Sequence, residues 1–408
     1  MTDFDTVIDR RDTDSAKWDY HQTPNGLVRW DATNPDHGDD QVLAMWVADM
    51  DFRCAEPIID AIKKRADHGI FGYSRASESF DEAVIQWFQT RHNWQIDRAH
   101  IVHTAGVVPA LHFAVRAFCA PGDKVLIQRP VYYPFFSAIT NGGCEIISND
   151  LIDVDGHYAM DFDDLAAKCA DPTVTMAILC SPHNPVGRIW TAAELTRFGQ
   201  ICADHGVRVI ADEIHGDLIL PGQSFYPYGT LAPALSEAAM ICTAATKTFN
   251  LAGLHLSNIV IANQADRELY AQTMMELGLS PVHDPLALSG IEAAYRVGGQ
   301  WLDEMLVYLD ENRRLIERFC ADHLPGTIVS PLQGTYLAWV DFRAWGLSHE
   351  ELDALMLDDA KLYLDTGTLF GALGSGFQRF NIACPRAIIQ KALHRLHQAA
   401  VNRKIIAA

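Results

Sequence analysis

The chain contains no run of 18 apolar residues, and its opening stretch, MTDFDTVIDRRDTDSAKWDY, has no apolar core of the kind that directs secretion. Neither a membrane span nor export is therefore expected. Basic residues are scarce beside acidic ones: 32 Lys and Arg against 52 Asp and Glu in 408 residues give a formal net charge of −20. Such a surface repels nucleic acid and anionic membranes, which excludes both as expected partners. The nine cysteines (Cys54, Cys119, Cys144, Cys169, Cys180, Cys202, Cys242, Cys320 and Cys384) include no CxxC pair, and their number is odd. Reduced, mostly buried thiols in a cytoplasmic protein fit this better than a disulfide framework or a zinc site. The 17 histidines form no HExxH or comparable spacing, so no metal site is expected. Internal repeats and low-complexity stretches are also missing.

What remains is ordinary globular composition, with 49% hydrophobic and 21% charged residues. The first forty residues are polar and read as an extended arm. From about Ala55 the pattern turns helical, through Ile58, Ile59, Ile62 and then Ala83 to Phe88. Short apolar runs follow at Lys124–Gln128, Glu145–Ser148, Met176–Cys180, Arg208–Ala211, Ala239–Thr243 and Ser257–Ala262. Helix-like stretches separate them, such as Ala192–His205 behind a cap at Thr191. Buried strands alternating with helices predict an α/β unit around a mostly parallel sheet. A long amphipathic segment from Pro285 to Asp322 comes next. An α+β pattern then runs through Gly334–Phe342, His349–Asp359, Phe377–Ala383 and a last helix from Ala387. The expected organisation is an arm (1–50) joining a small domain, a large domain (51–290) and the small C-terminal domain (291–408).

Polar residues at strand ends carry the chemistry, because open α/β sheets bind ligands there. Lys247 follows the run AMICT among small residues, where desolvation would favour a neutral amine able to form an imine. On local grounds an ordinary strand-end lysine explains it as well. Asp212 ends RVIAD and suits a cationic ring, a metal, a ribose or a helix cap. Asn184 lies in SPHNPVGR, whose Asn-Pro step also marks a plain turn. In HTAGVVPAL the amides of Gly106, Val107 and Val108 would bind an anion if a helix starts there, with Pro109 in its first turn. Order and spacing add weight: Asp212 is 28 residues after Asn184, Lys247 is 35 further on, and Arg379 in RFNIACPR another 132.

This ordered set resembles the fold-type I pyridoxal-phosphate (PLP) enzymes of the aminotransferase class I/II superfamily. Within it, MWVADMDF (45–52), GIFGYSR (69–75) and DEIH (212–215) resemble the MalY/PatB-type cystathionine β-lyases and cysteine-S-conjugate β-lyases. The resemblance covers nearly the whole chain. It implies a PLP-dependent transferase-like fold with a seven-stranded sheet and a homodimer with shared sites. It further implies that Lys247 holds PLP as a Schiff base and moves the substrate Cα proton, and that Asp212 pairs with the pyridine nitrogen. Asn184 would bond the ring's phenolic oxygen, Tyr132 would stack on the ring, and the Val107 and Val108 amides would hold the phosphate. Tyr73 would reach the neighbouring subunit's phosphate, and Arg379 would fork onto the substrate α-carboxylate. His215 would bond near the phenolic oxygen or stand behind it. Where many relatives have a second phosphate-binding arginine, this chain has His255, with Thr246 and Thr243 as candidate hydroxyl donors. Arg75 reads as a surface residue or as one approaching the distal end of a substrate, and Trp46 and Phe52 as core or pocket lining.

The activity implied is carbon–sulfur β-elimination from a small amino-acid thioether, with cystathionine foremost. An aminotransferase on the same fold is the alternative, since PLP-binding residues serve both reactions. A PLP-binding protein with a purely regulatory role is a third reading, though the short acidic arm offers no DNA-binding segment.

Overall fold

A computed structural model describes residues 2–23, 26–30, 42–279 and 282–407; the stretch 31–41 of the expected arm lies outside the described residues. Its centre is a seven-stranded sheet. The strands are β1 (Ile101–Thr104), β2 (Lys124–Ile127), β3 (Glu145–Ser148), β4 (Val174–Cys180), β5 (Arg208–Asp212), β6 (Met240–Thr243) and β7 (Ser257–Ile261). They lie in the order β1-β7-β6-β5-β4-β2-β3. All are parallel except β7, which runs against both neighbours. The apolar runs of the sequence locate six of the seven within two residues at each end. β1, half-buried at one edge of the sheet, reads IVHT, in which His103 and Thr104 cut the apolar run to two residues.

Helices cover the sheet, and local sequence sets their ends. Ser77 caps α1 (Glu78–His92) by accepting from the Phe80 amide. In α3 (Ala192–Asp204), Thr191 and Glu194 form a reciprocal capping box, as the cap at Thr191 predicts. Between them in sequence, α2 (Val107–Phe118) starts at Gly106 without a side-chain cap. The segment after Pro285, expected as one amphipathic unit, is two helices, α4 (Pro285–Val297) and α5 (Gly299–His323). They meet at Gly298, where a Cβ would lie 2.4 Å from the Phe249 ring. The break keeps that ring buried against the helix junction.

The C-terminal third forms a second sheet of β8 (Ile328–Val329), β9 (Leu337–Asp341), β10 (Asp365–Thr366) and β11 (Phe377–Asn381), in the order β8-β9-β11-β10 and antiparallel throughout. Leu43–Ala44 pairs in parallel with Leu362–Tyr363, which ties the N-terminal segment to this region. A buried cluster fixes that segment further. Arg10 and Lys17 both bind Asp51, at 2.7 and 2.8 Å, and Arg10 forks onto Asp49. Asn250 and Asn381 hold the backbone between Val47 and Phe52. Trp46 and Phe52 are buried here as core. Among the described residues no helix is long and apolar enough to cross a membrane.

Candidate active site

At the C-terminal ends of β4, β5 and β6 lies a cavity of about 330 Å³. Strand register builds its floor: Asp212 pairs with Cys180 on one side and Cys242 on the other. The loop after β4 brings in Asn184, the turn after β5 brings His215, and the short helix Ala245–Thr248 after β6 brings Thr246 and Lys247. Tyr132, the start of α2 (Gly106, Val107, Val108) and His255 complete the wall. Residues far apart in sequence therefore meet because three parallel strands end side by side.

The Lys247 ammonium donates to the Ala48 carbonyl at 2.5 Å, and the Tyr336 hydroxyl donates to the same oxygen at 2.8 Å. Burial lowers the lysine pKa from its ordinary value to about 8, against the pull of Asp49 and Asp212 and with help from Arg379. Among the described residues, the Asp212 carboxylate accepts only the Ile214 amide, at 3.1 Å. Burial pushes its carboxyl up to about 7, with that amide and Lys247 pulling the other way. The His215 pKa is driven well below its usual range by burial, then by Lys247 and Arg379. Its Nδ1 is buried without a partner.

Arg379, 2% exposed in β11, donates from Nη1 to Asn184 Oδ1 at 3.0 Å and from Nη2 to the Trp46 carbonyl at 2.8 Å. Nη2 also pairs with Asp365. Asn184 thus has its oxygen engaged and its amide hydrogens available to the cavity. Burial raises the Tyr132 phenol, which stays neutral.

The donor set fits PLP. An uncapped helix start with free amides suits a phosphate, and a buried carboxylate lacking a cationic partner suits a protonated ring nitrogen. An unpartnered His215 Nδ1 and a free Asn184 amide suit polar ring substituents, and a lysine with lowered pKa suits an aldehyde.

Two of the residues singled out in the sequence, neither expected in this wall, do not line the cavity. Tyr73 is 96% exposed and outside the cavity of its own chain. Arg75 lines a separate cleft with Asp81, His103 and His283. Thr243, the other candidate hydroxyl donor, does not line the cavity: its hydroxyl donates to the Asn258 carbonyl at 3.0 Å inside the sheet. Thr246 does line the cavity. Sequence reasoning missed Ala48, Tyr336 and Asp365. A carbonyl carries no side-chain signal, and Tyr336 and Asp365 lie far downstream of Lys247 in strand-like segments where an inward polar residue looks like any other.

The family model described as "Aminotransferase class I and II" matches residues 40–396. The chain is 43% identical to cystathionine beta-lyase PatB of Bacillus subtilis over 91% of this chain and 96% of that protein. It is 32% identical to protein MalY of Escherichia coli over 98% and 99% of the two chains. Among solved structures, cystalysin from Treponema denticola, which contains a pyridoxal 5'-phosphate cofactor, superposes with a TM-score of 0.93 at 37% identity, covering 99% of this chain and all of the other.

Proposed function

We propose that this chain, which belongs to the aminotransferase class I and II family, is a PLP-dependent carbon–sulfur β-lyase that cleaves cystathionine or related cysteine S-conjugates to a thiol, pyruvate and ammonia. The observation that carries this reading is the enclosed pair of Lys247, pKa about 8, and Asp212, about 7, in a chain whose relatives include a cystathionine β-lyase.

PLP, when bound, supplies an aldehyde for imine formation and a cationic ring that accepts carbanion charge. Lys247 would anchor it, Asp212 would keep the ring nitrogen protonated, and Asn184 and His215 would serve its phenolic edge. Tyr132, on the cavity wall, would cover the ring face. The Val107 and Val108 amides and the Thr246 hydroxyl would hold the phosphate, with Tyr73 reaching across from the other subunit of a homodimer. Arg379 receives the substrate α-carboxylate. Once freed, Lys247 is neutral enough near pH 8 to remove the Cα proton. The bound cofactor would take up the resulting charge and so allow the β-thiolate to leave, and the enamine set free would hydrolyse in water to pyruvate and ammonia. Nine free cysteines, seven of them buried, support a cytoplasmic setting.

The test is a panel of cystathionine, cystine and S-alkyl cysteines with thiol and pyruvate both quantified. Equimolar release without any keto acid is expected. A requirement for a keto-acid acceptor would overturn the lyase in favour of an aminotransferase.

A further inference from the structure

Arg379 already has an anion. Asp365 stands directly opposite it in the β10–β11 pair, and both side chains are buried. The Asp365 carboxylate and the Trp46 carbonyl engage Nη2, while Asn184 engages Nη1. Among the described residues, the buried Nε–H and the second Nη1 hydrogen have no partner, while both Nη2 hydrogens are taken, and either bidentate edge needs one of the latter. A bidentate carboxylate takes two hydrogens along one edge of the guanidinium, so an incoming ligand must compete for a hydrogen that is already used.

Resting on the reading of Arg379 as the α-carboxylate site, we propose that Asp365 is the resident counter-ion of Arg379 and takes up one proton when a substrate carboxylate docks. Two carboxylates on one guanidinium in a dry site do not both stay ionised cheaply; one keeps a proton. That proton comes from solvent and bonds to a carboxylate oxygen of Asp365, with no other bond made or broken. The remaining groups facing Asp365 are phenols. Burial raises Tyr133 to about 12 and also raises Tyr132 and Tyr363, so none of them titrates in the working range. Burial raises the Asp365 carboxyl above its ordinary value against the pull of Arg379, so a second anion that takes up part of that pull moves it further toward the protonated form. Asp365 is thus a specificity-determining residue. It keeps the empty pocket from holding a bare buried cation and makes carboxylate binding depend on pH.

The experiment is calorimetric titration of the holoenzyme with 3-(methylthio)propanoate, a thioether carboxylate with no amine to titrate, in buffers of differing ionisation enthalpy between pH 6 and 8. The wild type is expected to take up about one proton per site, its affinity falling about tenfold per pH unit above the titration of Asp365. Asp365→Asn is expected to take up none and bind with pH-independent affinity. Its KM for amino-acid substrate should lose its pH dependence without that dependence passing to kcat. Asp365→Ser is the second variant should the first not fold, and the wild-type proton count decides by itself: zero uptake overturns the proposal. So does equal uptake in wild type and variant. Arg379→Gln separates the two ideas. If it leaves ligand affinity intact, the carboxylate role of Arg379 fails. If it abolishes binding while Asp365→Asn matches wild type, only the counter-ion role fails.

Discussion

Lys247 donates to the backbone carbonyl of Ala48 at 2.5 Å, a contact spanning 199 positions of the chain. The lysine at the end of β6 is therefore held by the segment Met45–Phe52, which Asn250, Asn381 and Arg10 lock in place. The ammonium is positioned before any ligand arrives, and the carbonyl offers it one neutral acceptor rather than a charge. That keeps the proton removable.

Lys247→Ala should leave the fold intact, since the side chain ends in a cavity, yet abolish turnover. The loss of a general base alone costs about 10²–10⁴-fold, and loss of the covalent anchor adds to it. Pyruvate release and the visible absorbance of bound cofactor measure the two effects, and far-UV circular dichroism checks the fold. Retained visible absorbance and turnover would remove Lys247 from the chemistry.

Asp212→Asn should stabilise the cofactor-free protein while disabling the enzyme. The folded carboxyl titrates at about 7 and the unfolded one near 3.8. Between those values the unfolded chain has released the proton that the folded chain keeps, so stability falls as pH rises, and the deficit is complete above pH 7. Its size is roughly 4 kcal/mol. Melting of cofactor-free wild type and variant at pH 5 and pH 8 checks this. The variant's advantage should be larger at pH 8, and an advantage confined to pH 5 would contradict the sign.

The inner strands were legible because they are buried on both faces and so carry continuous apolar runs, as Met176–Cys180 does; the half-buried edge strand Glu145–Ser148 showed itself only through its central Ile146 and Ile147. The half-buried edge strand Ile101–Thr104 was not legible, and neither was the helix break at Gly298, which depends on a Phe249 ring arriving from elsewhere. In the site, residues that end strands could be picked by position: Asn184, Asp212 and Lys247 line one cavity as their order suggested. Ala48 and Asp365 could not. One acts through its backbone, and the other matters only because antiparallel register sets it opposite Arg379.

Asp217 does not line the cavity, yet it should prove necessary to the lysine's support. Two residues past His215, it accepts Trp87 Nε1 at 2.9 Å, His92 Nε2 at 2.6 Å and the Thr248 hydroxyl at 2.9 Å. Burial pushes its carboxyl up, but these donors outweigh it and hold the pKa below the ordinary value. Its stabilisation is thus present above the ordinary carboxyl titration and fades as pH drops through the folded pKa. Asp217→Ala strands three buried donors and should cost about 3–5 kcal/mol; Asp217→Asn, which keeps an acceptor, should cost less. Because Thr248 adjoins Lys247, both should speed cofactor loss. Chemical denaturation and cofactor dissociation rates test the ordering, and an Asp217→Ala protein as stable as wild type would refute it.

Gly106→Ala separates the phosphate contribution from the rest of cofactor binding. Gly106 sits at φ +112 at the mouth of α2, and an added Cβ would meet only Pro109 Cδ at 3.5 Å, an ordinary contact. Space therefore permits alanine; the backbone does not, since an L-residue at that φ costs about 1–3 kcal/mol. The chain can relieve this only by rotating the peptide that aims the Val107 and Val108 amides into the cavity. Affinity for PLP should fall at least about tenfold, equivalent to 1.4 kcal/mol. Pyridoxal, which has the ring and aldehyde but no phosphate, should bind wild type and variant alike. Fluorescence titration of the cofactor-free proteins with both ligands gives the comparison. An equal loss for the two would mean that Gly106 supports the cavity as a whole and that the anion is held elsewhere, with Thr246 and His255 the nearest alternatives on the cavity wall.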